Sequence, residues 1–269
     1  GFTLNSSADG TILRPTLVPP PSDAHKYSRG HAIVWSGAAL HTGASRLSAQ
    51  AALAVGAGLV TIVGERAALA EHAAHVTAIM LREASPAFDF VGDRVSAFAI
   101  GPGAGAGAQQ AILKVLGCHV PTVLDADALM LLTPTMLGRE VPRLATPHDG
   151  ELEALCRSFG VIGETRRDRA LALARVSGMV VLAKGPDSIV AAPDGRLALG
   201  QPAPSWLSVA GTGDVLAGIA ASRMATGADP FTSACEAVWL HGEAARRAGP
   251  AFTPSQLAEQ VSEALAACL

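Results

Sequence analysis

The segment Ala32-Ile33-Val34-Trp35 is a short apolar run that ends at Ser36-Gly37, and Leu59-Val60-Thr61-Ile62-Val63 is a second run, apolar except for Thr61. Short runs that are wholly or almost wholly apolar are typical of strands that are buried on both faces of a sheet. The stretch between them, from Gly43 to Gly56, is rich in Ala and Leu at helical spacing. A strand, a helix and a strand in this order predict a βαβ unit with parallel strands and a right-handed crossover.

The same alternation continues along the chain. Further strands are predicted at Ala97–Ile100, Pro121–Leu124 and Met179–Ala183, and a hairpin at Ser188–Ala192 and Arg196–Leu199. The predicted helices are Ala108–Leu116, Gly150–Phe159, Thr165–Val176, Thr212–Ala225, Pro230–Ala248 and Pro254–Ala267. Strands that alternate with helices predict an α/β fold, in which an open and largely parallel sheet is covered by helices on both faces.

Composition limits the classes of protein to which the chain can belong. Its 269 residues are 49% hydrophobic and 16% charged, which favours a large core over disorder. The net charge of −3 and the aromatic content of 4% argue against a nucleic-acid partner. Residues 1–24 are polar and rich in proline, so we expect an extended N-terminal arm there, followed by a single domain over residues 25–269.

The cysteines and the apolar runs bear on the cellular compartment. Cys118, Cys156, Cys235 and Cys268 are scattered, without a C-x-x-C pair or histidines at zinc spacing. Reduced and mostly buried thiols of a cytoplasmic protein are therefore expected. No run is long and apolar enough to span a bilayer, and the chain does not start with a basic-then-apolar signal pattern, so no membrane association is expected.

Polar and glycine-rich segments follow the predicted strands. In an open α/β sheet the ligand binds outside the carboxyl ends of the strands, so these segments are expected to meet along one edge. They are Ser36-Gly37, Gly101–Gly105, Asp125–Asp127, Thr146–Glu151, Lys184-Gly185 and Gly211–Asp214.

The segment Gly211-Thr212-Gly213-Asp214 precedes a long helical pattern. The first turn of a helix offers unpaired N–H groups and a positive dipole end, which suit phosphate oxygens, and glycines allow close approach. Asp214 would be repelled by such an anion unless it removes a proton from a group that attacks the phosphate. The segment therefore predicts an anion hole with a built-in base, which phosphorylates a hydroxyl. The alternative is a tight turn in which Asp214 caps the helix.

Two carboxylates, Asp125 and Asp127, end a predicted strand one residue apart. If strand geometry continues, both point to the same face and could hold Mg²⁺, usually through water. The alternative is that Asp127 caps the following helix. Glu151 is a third candidate, either for a hydrated metal or for a helix cap, and His148 could hydrogen-bond a substrate.

Lys184 follows an apolar strand, in a chain with only three lysines. At a strand end near a phosphate loop it could neutralise phosphate charge, although a solvated lysine at a turn is the alternative. Trp206 precedes the Gly211 loop and could stack on a base, although core or interface packing is the alternative.

The motifs together resemble those of a known family. The segment around Gly211–Asp214 is similar to the anion hole of ribokinase-like small-molecule kinases. Further segments, in the same order, resemble the ADP/ATP-dependent NAD(P)H-hydrate dehydratases. These segments are Lys26–His31, Gly43-Ala44, Gly56–Thr61, Ile100–Gly103, Leu124–Leu129, Thr146–Glu151 and Leu240–Gly242.

The resemblance implies a three-layer ribokinase-like fold and a carbon–oxygen lyase that repairs damaged cofactors. Such an enzyme phosphorylates the ring hydroxyl of (6S)-NADHX or NADPHX, the hydrated forms of NADH and NADPH, and loss of phosphate restores NAD(P)H. The phosphoryl donor would be ADP or ATP, with ADP favoured, and Mg²⁺ would bridge phosphates. Asp214 would be the base, and the N–H groups of Gly211, Thr212 and Gly213 would form the anion hole.

The resemblance also implies contact residues. The hydrate would lie against Ala44, Gly103, His148 and Asp214. The nucleotide would lie against Lys184, Gly185, Pro186, Asp187, Ser188 and Gly213. The family further suggests a homotetramer, and we expect the partner NAD(P)H-hydrate epimerase activity on another chain.

Two other functions stay open at this point. One is a vitamin-precursor kinase of the same fold, acting on hydroxymethylpyrimidine or hydroxyethylthiazole, which would release a phosphorylated product. The other is a nucleotide-binding module without turnover, although binding alone gains nothing from a carboxylate that faces phosphate. Pro186 and Asp187 stand where smaller residues are common in the family, which bears on nucleotide preference.

Overall fold

The computed structural model of the chain describes residues 5–85, 94–138 and 141–269. Within these residues one nine-stranded sheet has the spatial order β3-β2-β1-β4-β5-β6-β7-β8-β9. The strands from β3 to β7 are parallel, whereas β8 and β9 are antiparallel to their neighbours. The strands are β1 (His31–Trp35), β2 (Leu59–Gly64), β3 (Met80–Glu83), β4 (Ala97–Ile100), β5 (Thr122–Leu124), β6 (Arg143–Ala145), β7 (Val180–Ala183), β8 (Ile189–Ala191) and β9 (Leu197–Leu199).

Helices connect these strands and cover the sheet. They are α1 (Gly43–Ala54), α2 (Arg66–Ala73), α3 (Gln109–Leu116), α4 (Asp127–Leu131), α5 (Asp149–Phe159), α6 (Arg166–Ser177), α7 (Thr212–Ala225), α8 (Pro230–Ala248), α9 (Pro254–Glu259) and α10 (Val261–Ala266).

Successive strand residues point into two separate cores. Val34 belongs to the core under α1, α7, α8, α9 and α10, whereas the preceding Ile33 belongs to the core under α3, α4, α5 and α6. Phe98 and Ala99 in β4 divide in the same way. Because side chains alternate along a strand, strands with apolar residues on both faces require a helical layer on each side. The predicted three-layer α/β architecture is thus confirmed.

The predicted central strands and the long helices are also confirmed, but short elements such as β3, α2 and α4 escaped the sequence analysis. Strand β3 is on the sheet edge, where Met80 is 55% exposed, so it lacks the apolar run of a buried strand. Helices α2 and α4 have only eight and five residues, too few for a clear helical period.

The prediction of one helix over Pro254–Ala267 is wrong. The N–H of Gln260 bonds the carbonyl of Leu257 at 3.1 Å, so the turn tightens to a three-residue step there and separates α9 from α10.

The N-terminal segment lies along the far edge of the sheet. The N–H of Ile12 donates to the carbonyl of Leu199 in β9 at 2.8 Å, and the N–H of Leu17 donates to the carbonyl of Cys268, also at 2.8 Å. Ile12 is 1% exposed and belongs to the core. Residues 1–4 of the predicted arm lie outside the described residues.

The predicted burial of the cysteines is confirmed for three of the four. Cys156, Cys235 and Cys268 are buried, Cys118 is half-buried, and all four are free thiols. In the part of the chain that the structure describes, no helix has the length and apolarity needed to cross a bilayer.

Candidate active site

The loops after the parallel strands are linked by direct contacts. The hydroxyl of Thr146, which follows β6, donates to Oδ1 of Asp125, which follows β5, at 2.8 Å. The ammonium of Lys184, which follows β7, donates to the same oxygen at 3.0 Å. A Cβ built on Gly213 would lie 3.0 Å from Nζ of Lys184, so the start of α7 closes this series of contacts. The predicted meeting of these segments along one edge is confirmed.

Helix α7 begins with an unusual backbone conformation. Gly211 is its N-cap with φ of +101°, a conformation that favours glycine. Asp214 lies in the first turn of the helix and not at the cap, so the alternative in which Asp214 caps the helix is wrong. The N–H of Thr212 bonds the carbonyl of Val209 at 3.4 Å, whereas those of Gly213 and Asp214 have no partner among the described residues. Two unpaired donors thus point out of the helix start, where an anion binds well.

The surroundings of Asp214 raise its pKa, which suits a general base. Burial, and to a lesser extent the nearby charge of Asp125, raise the pKa of Asp214 to about 6, against the opposite effect of the charge of Lys184. A carboxylate with a pKa near 6 is ionised at neutral pH and still binds a proton more strongly than a solvent-exposed one. Such a group can remove a proton from a hydroxyl.

Lys184 is held as a cation. Burial alone would lower the pKa of Lys184, but the charge and the hydrogen bond of Asp125 raise it above its usual value, and Glu151 and Asp214 add to this effect. A positive charge therefore stays beside the unpaired N–H groups at the start of α7.

Asp125 and Asp127 do not point to one face, so that expectation is wrong. Strand β5 ends at Leu124, and Ala126 adopts φ of +48°, which turns the chain away from strand geometry. Asp125 is buried against Thr146 and Lys184, while Oδ2 of Asp127 accepts a bond from the N–H of Gly105 at 2.9 Å. Asp127 is the first residue of α4 and makes no capping bond, so the alternative in which Asp127 caps this helix is also wrong.

The metal candidates form no ready-made site. Among residues 5–85, 94–138 and 141–269 no three His, Cys, Asp or Glu side chains are grouped so that they could hold a metal ion. A metal role for Asp125, Asp127 or Glu151 stays a prediction.

His148 and Glu151 cap helix α5 together. Nδ1 of His148 accepts from the N–H of Glu151 at 3.2 Å, and Oε1 of Glu151 accepts from the N–H of His148 at 3.1 Å. This reciprocal arrangement is a capping box, so the predicted capping role of Glu151 is confirmed. It also fixes the His148 ring, which lines the cavity described next.

A cavity of about 470 Å³ lies beside the start of α7. Most of the predicted nucleotide contacts line it, namely Lys184, Gly185, Pro186, Ser188 and Gly213. The lining does not include Asp187, whose carbonyl accepts a hydrogen bond from Arg166. Trp206 is 51% exposed, so it does not pack in the core, and it does not line the cavity either. Trp239 is the tryptophan that lines the cavity.

The predicted hydrate contacts adjoin the helix that carries Asp214. A Cβ built on Gly103 would lie 3.1 Å from Cβ of Ala44, so these two residues are neighbours. Ala44 lies in the first turn of α1, and one turn later the hydroxyl of Ser48 donates to the carbonyl of Asp214 at 2.7 Å.

His241 is a site residue that sequence reasoning missed. Its Nε2 donates to the carbonyl of Thr212 at 2.8 Å, and its ring lines the cavity. Burial lowers the pKa of His241 to about 4, so the ring is neutral and holds the first turn of α7 in place. Its position in a helical pattern hid this role, and the segment Leu240-His241-Gly242 of the resemblance was the available signal.

The fold and site place the protein in a structural class. The solved ribokinase of Arabidopsis thaliana, in a complex with ribose and ATP, matches with a TM-score of 0.60 and 13% identity over 88% of this chain and 98% of its own. The fold is therefore ribokinase-like, as predicted.

Sequence comparison identifies the family within this structural class. The family model Carb_kinase, described as NAD(P)H-hydrate dehydratase, matches residues 32–267, and the chain belongs to this family. The ADP-dependent (S)-NAD(P)H-hydrate dehydratase of Neisseria meningitidis is 34% identical over 83% of this chain and 78% of its own. The ADP/ATP-dependent NAD(P)H-hydrate dehydratase of Bacillus subtilis, co-crystallised with ATP and Mg²⁺, matches with a TM-score of 0.81 and 25% identity over 94% of this chain and 95% of its own.

Some relatives are much longer. The chain spans about half the length of the first curated relatives that it matches, which are named bifunctional NAD(P)H-hydrate repair enzymes.

Proposed function

We propose that this chain dehydrates (6S)-NADHX and NADPHX to NADH and NADPH, with ADP as the preferred phosphoryl donor and ATP as the alternative donor. The observation that carries the proposal is Asp214, which has a pKa near 6 and lies beside the cation Lys184 and two unpaired N–H groups. Membership of the family and the names of the relatives support the choice of substrate and donor.

In the proposed reaction Asp214 takes the proton from the ring hydroxyl of the hydrate as that oxygen attacks the terminal phosphorus of the nucleotide. The N–H groups of Gly213 and Asp214 bind the oxygens of the transferring phosphoryl group, and Lys184 neutralises part of its charge. The nucleotide leaves one phosphate shorter. The phosphate on the ring then departs with the C–O bond electrons, and the neighbouring ring carbon loses a proton to solvent, so that the C–H electrons form the double bond of NAD(P)H.

The nucleotide is proposed to occupy the cavity of about 470 Å³ beside Gly213. Its apolar lining includes Ile12, Pro204 and Trp239, which suits a nucleoside, and Lys184 suits a phosphate. Mg²⁺ is proposed to bind with the nucleotide, because the described residues offer no cluster of ligands and Mg²⁺ favours phosphate and water oxygens. Bound there, the ion would reduce the negative charge of the phosphates.

The test is the near-ultraviolet absorbance of NADH, starting from NADH hydrate with Mg²⁺ and either ADP or ATP. We expect a nucleotide-dependent rise for the parent protein and a loss of at least a hundredfold in rate for Asp214→Asn, since the base is removed without changing its shape. The donor that gives the faster rise is the preferred one.

Asp194→Asn provides the matched control, because Asp194 lies in the β8–β9 hairpin and bonds Arg196 at 2.8 Å, outside the cavity lining. It should leave the rate unchanged. No rise with either nucleotide, while nucleotide still binds, would contradict the dehydratase and turn attention to the vitamin-precursor alcohols. Those reactions would release a phosphorylated product in place of inorganic phosphate.

The proposal also includes the expected epimerase partner, the assembly and the compartment. The companion epimerase activity is proposed to come from a partner domain or chain, the assembly is proposed to be a homotetramer, and the compartment is proposed to be the cytoplasm. Gel filtration with light scattering tests the assembly directly.

A further inference from the structure

Two full positive charges line the cavity, and only one of them has a role so far. Among the described residues of the lining these cations are Lys184 and Arg246, and the lining includes no Asp or Glu. Lys184 is occupied by its ion pair with Asp125 at 3.0 Å. Arg246 lies in α8, one turn beyond Gly242, which also lines the cavity.

The guanidinium of Arg246 is held on one edge and open on the other. Its Nε and Nη2 both donate to Oε2 of Glu243, at 3.1 and 3.0 Å. Its Nη1 makes no hydrogen bond to any of the described residues. A Cβ built on Gly242 would lie 3.4 Å from that Nη1, so the open edge passes over a glycine of the cavity lining.

Helix geometry gives the same orientation. Trp239, Gly242 and Arg246 are spaced three and four residues apart, which puts them on one face of α8, and all three line the cavity. Glu243 holds the guanidinium in place, and this pre-organisation reduces the entropy that a ligand would otherwise have to offset.

The charges of the site create a need for a second cation. Lys184 is surrounded by the carboxylates of Asp125, Glu151 and Asp214. These three carboxylates offset the single charge of the ammonium, so Lys184 alone supplies little net attraction for a nucleotide polyanion. Glu243 also pairs with Arg247 at 3.1 Å, so the two arginines and the one glutamate together keep a net positive charge.

We propose that Arg246 is a nucleotide-binding residue whose open Nη1 edge binds a phosphate group of the nucleoside di- or triphosphate. The inference rests on the proposed function for the identity of the nucleotide. A guanidinium is a strong and directional donor to phosphate oxygens, and a neutral nucleoside offers no charge to match it.

The test is calorimetric titration of ADP in buffer with Mg²⁺, without the hydrate. Arg247→Gln is the matched control for Arg246→Gln, because both side chains bond Glu243 and they are 39% and 40% exposed, yet only Arg246 lines the cavity. We expect Arg246→Gln to raise the Kd of ADP about tenfold, which is typical of the loss of one charged hydrogen bond. Arg247→Gln should change it less than twofold, and Arg246→Lys should lie between them.

The salt dependence separates a phosphate contact from a contact with the nucleoside. If Arg246 binds phosphate, the Kd of the Arg246→Gln protein rises less steeply with salt than that of the parent. Equal slopes, equal effects of the two arginine variants, or no effect of Arg246→Gln would each overturn the proposal. Binding is measured without turnover, so a protein that binds ADP through Arg246 but makes no NADH would contradict only the proposed reaction.

Discussion

Asp214→Asn is predicted to stabilise the folded protein at neutral pH while it removes the proposed activity. Asp214 has a pKa of about 6 in the folded protein, against the ordinary value of 3.8 for an aspartate. Because burial raises the folded pKa, the ionised carboxylate is less favourable in the folded than in the unfolded chain. The difference between these two pKa values corresponds to at most about 3 kcal/mol of lost stability above pH 6. Since the side chain keeps partial contact with solvent, we expect asparagine to restore about 1–3 kcal/mol at pH 8.

The pH dependence gives the sign of the effect. At pH values well below 3.8 the carboxyl is protonated in both states, so its cost is absent, and the cost grows as the pH rises towards 6 and is then constant. Urea unfolding of the parent and of Asp214→Asn at pH 8 and pH 4 measures this directly. The gain in the free energy of unfolding should shrink to about 0.5 kcal/mol at pH 4.

Asp194→Asn is the control with the opposite sign, because hydrogen bonds from Arg196 lower the pKa of Asp194. This substitution should give no gain at pH 8. A loss of stability in Asp214→Asn at pH 8, or an equal gain at both pH values, would refute the account of Asp214 as a carboxylate destabilised by burial.

Further outcomes follow from the same contacts. The kcat/KM of the parent for the hydrate should fall about tenfold per pH unit below pH 6, as Asp214 becomes protonated, which rate measurements between pH 5 and 8 would show. Gly213→Ala should lower kcat at least tenfold in the NADH assay, because its Cβ would lie 3.0 Å from Nζ of Lys184. Gly101→Ala should lower the free energy of unfolding in urea by at least about 3 kcal/mol, since its φ is +126° and its Cβ would overlap the carbonyl of Asp125 at 1.6 Å.

The sheet could be predicted where its strands are buried on both faces. Ala32–Trp35 is apolar throughout and Leu59–Val63 is apolar except for Thr61, and that pattern has few structural alternatives once helical segments separate the runs. Strand β3 at the edge has no such constraint, because exposed Met80 and Glu83 need no second layer of helices. The pattern weakens wherever solvent covers one side of an element.

The fold also predicts which loops meet, but not which side chains bond. The connectivity brings the ends of β5, β6 and β7 together, as expected from parallel strands. The pairing of Asp125 with Lys184, rather than with Asp127 across a metal, depends on the positive φ of Ala126. A non-glycine residue rarely adopts that conformation, so no sequence pattern predicts it.

The three charges at the centre of the site depend on one another, and this dependence is a property of the fold. Asp125 and Lys184 are 59 positions apart in sequence, and their ion pair keeps the ammonium bonded to Asp125. Had Lys184 bonded Asp214 in place of Asp125, its charge would lower the pKa of Asp214 more strongly, and a weaker base would result. Asp125 therefore acts on Asp214 in two ways, because it engages the lysine and adds a negative charge of its own. The proposed base owes its strength first to its own burial and then to a second buried carboxylate that need not touch the substrate.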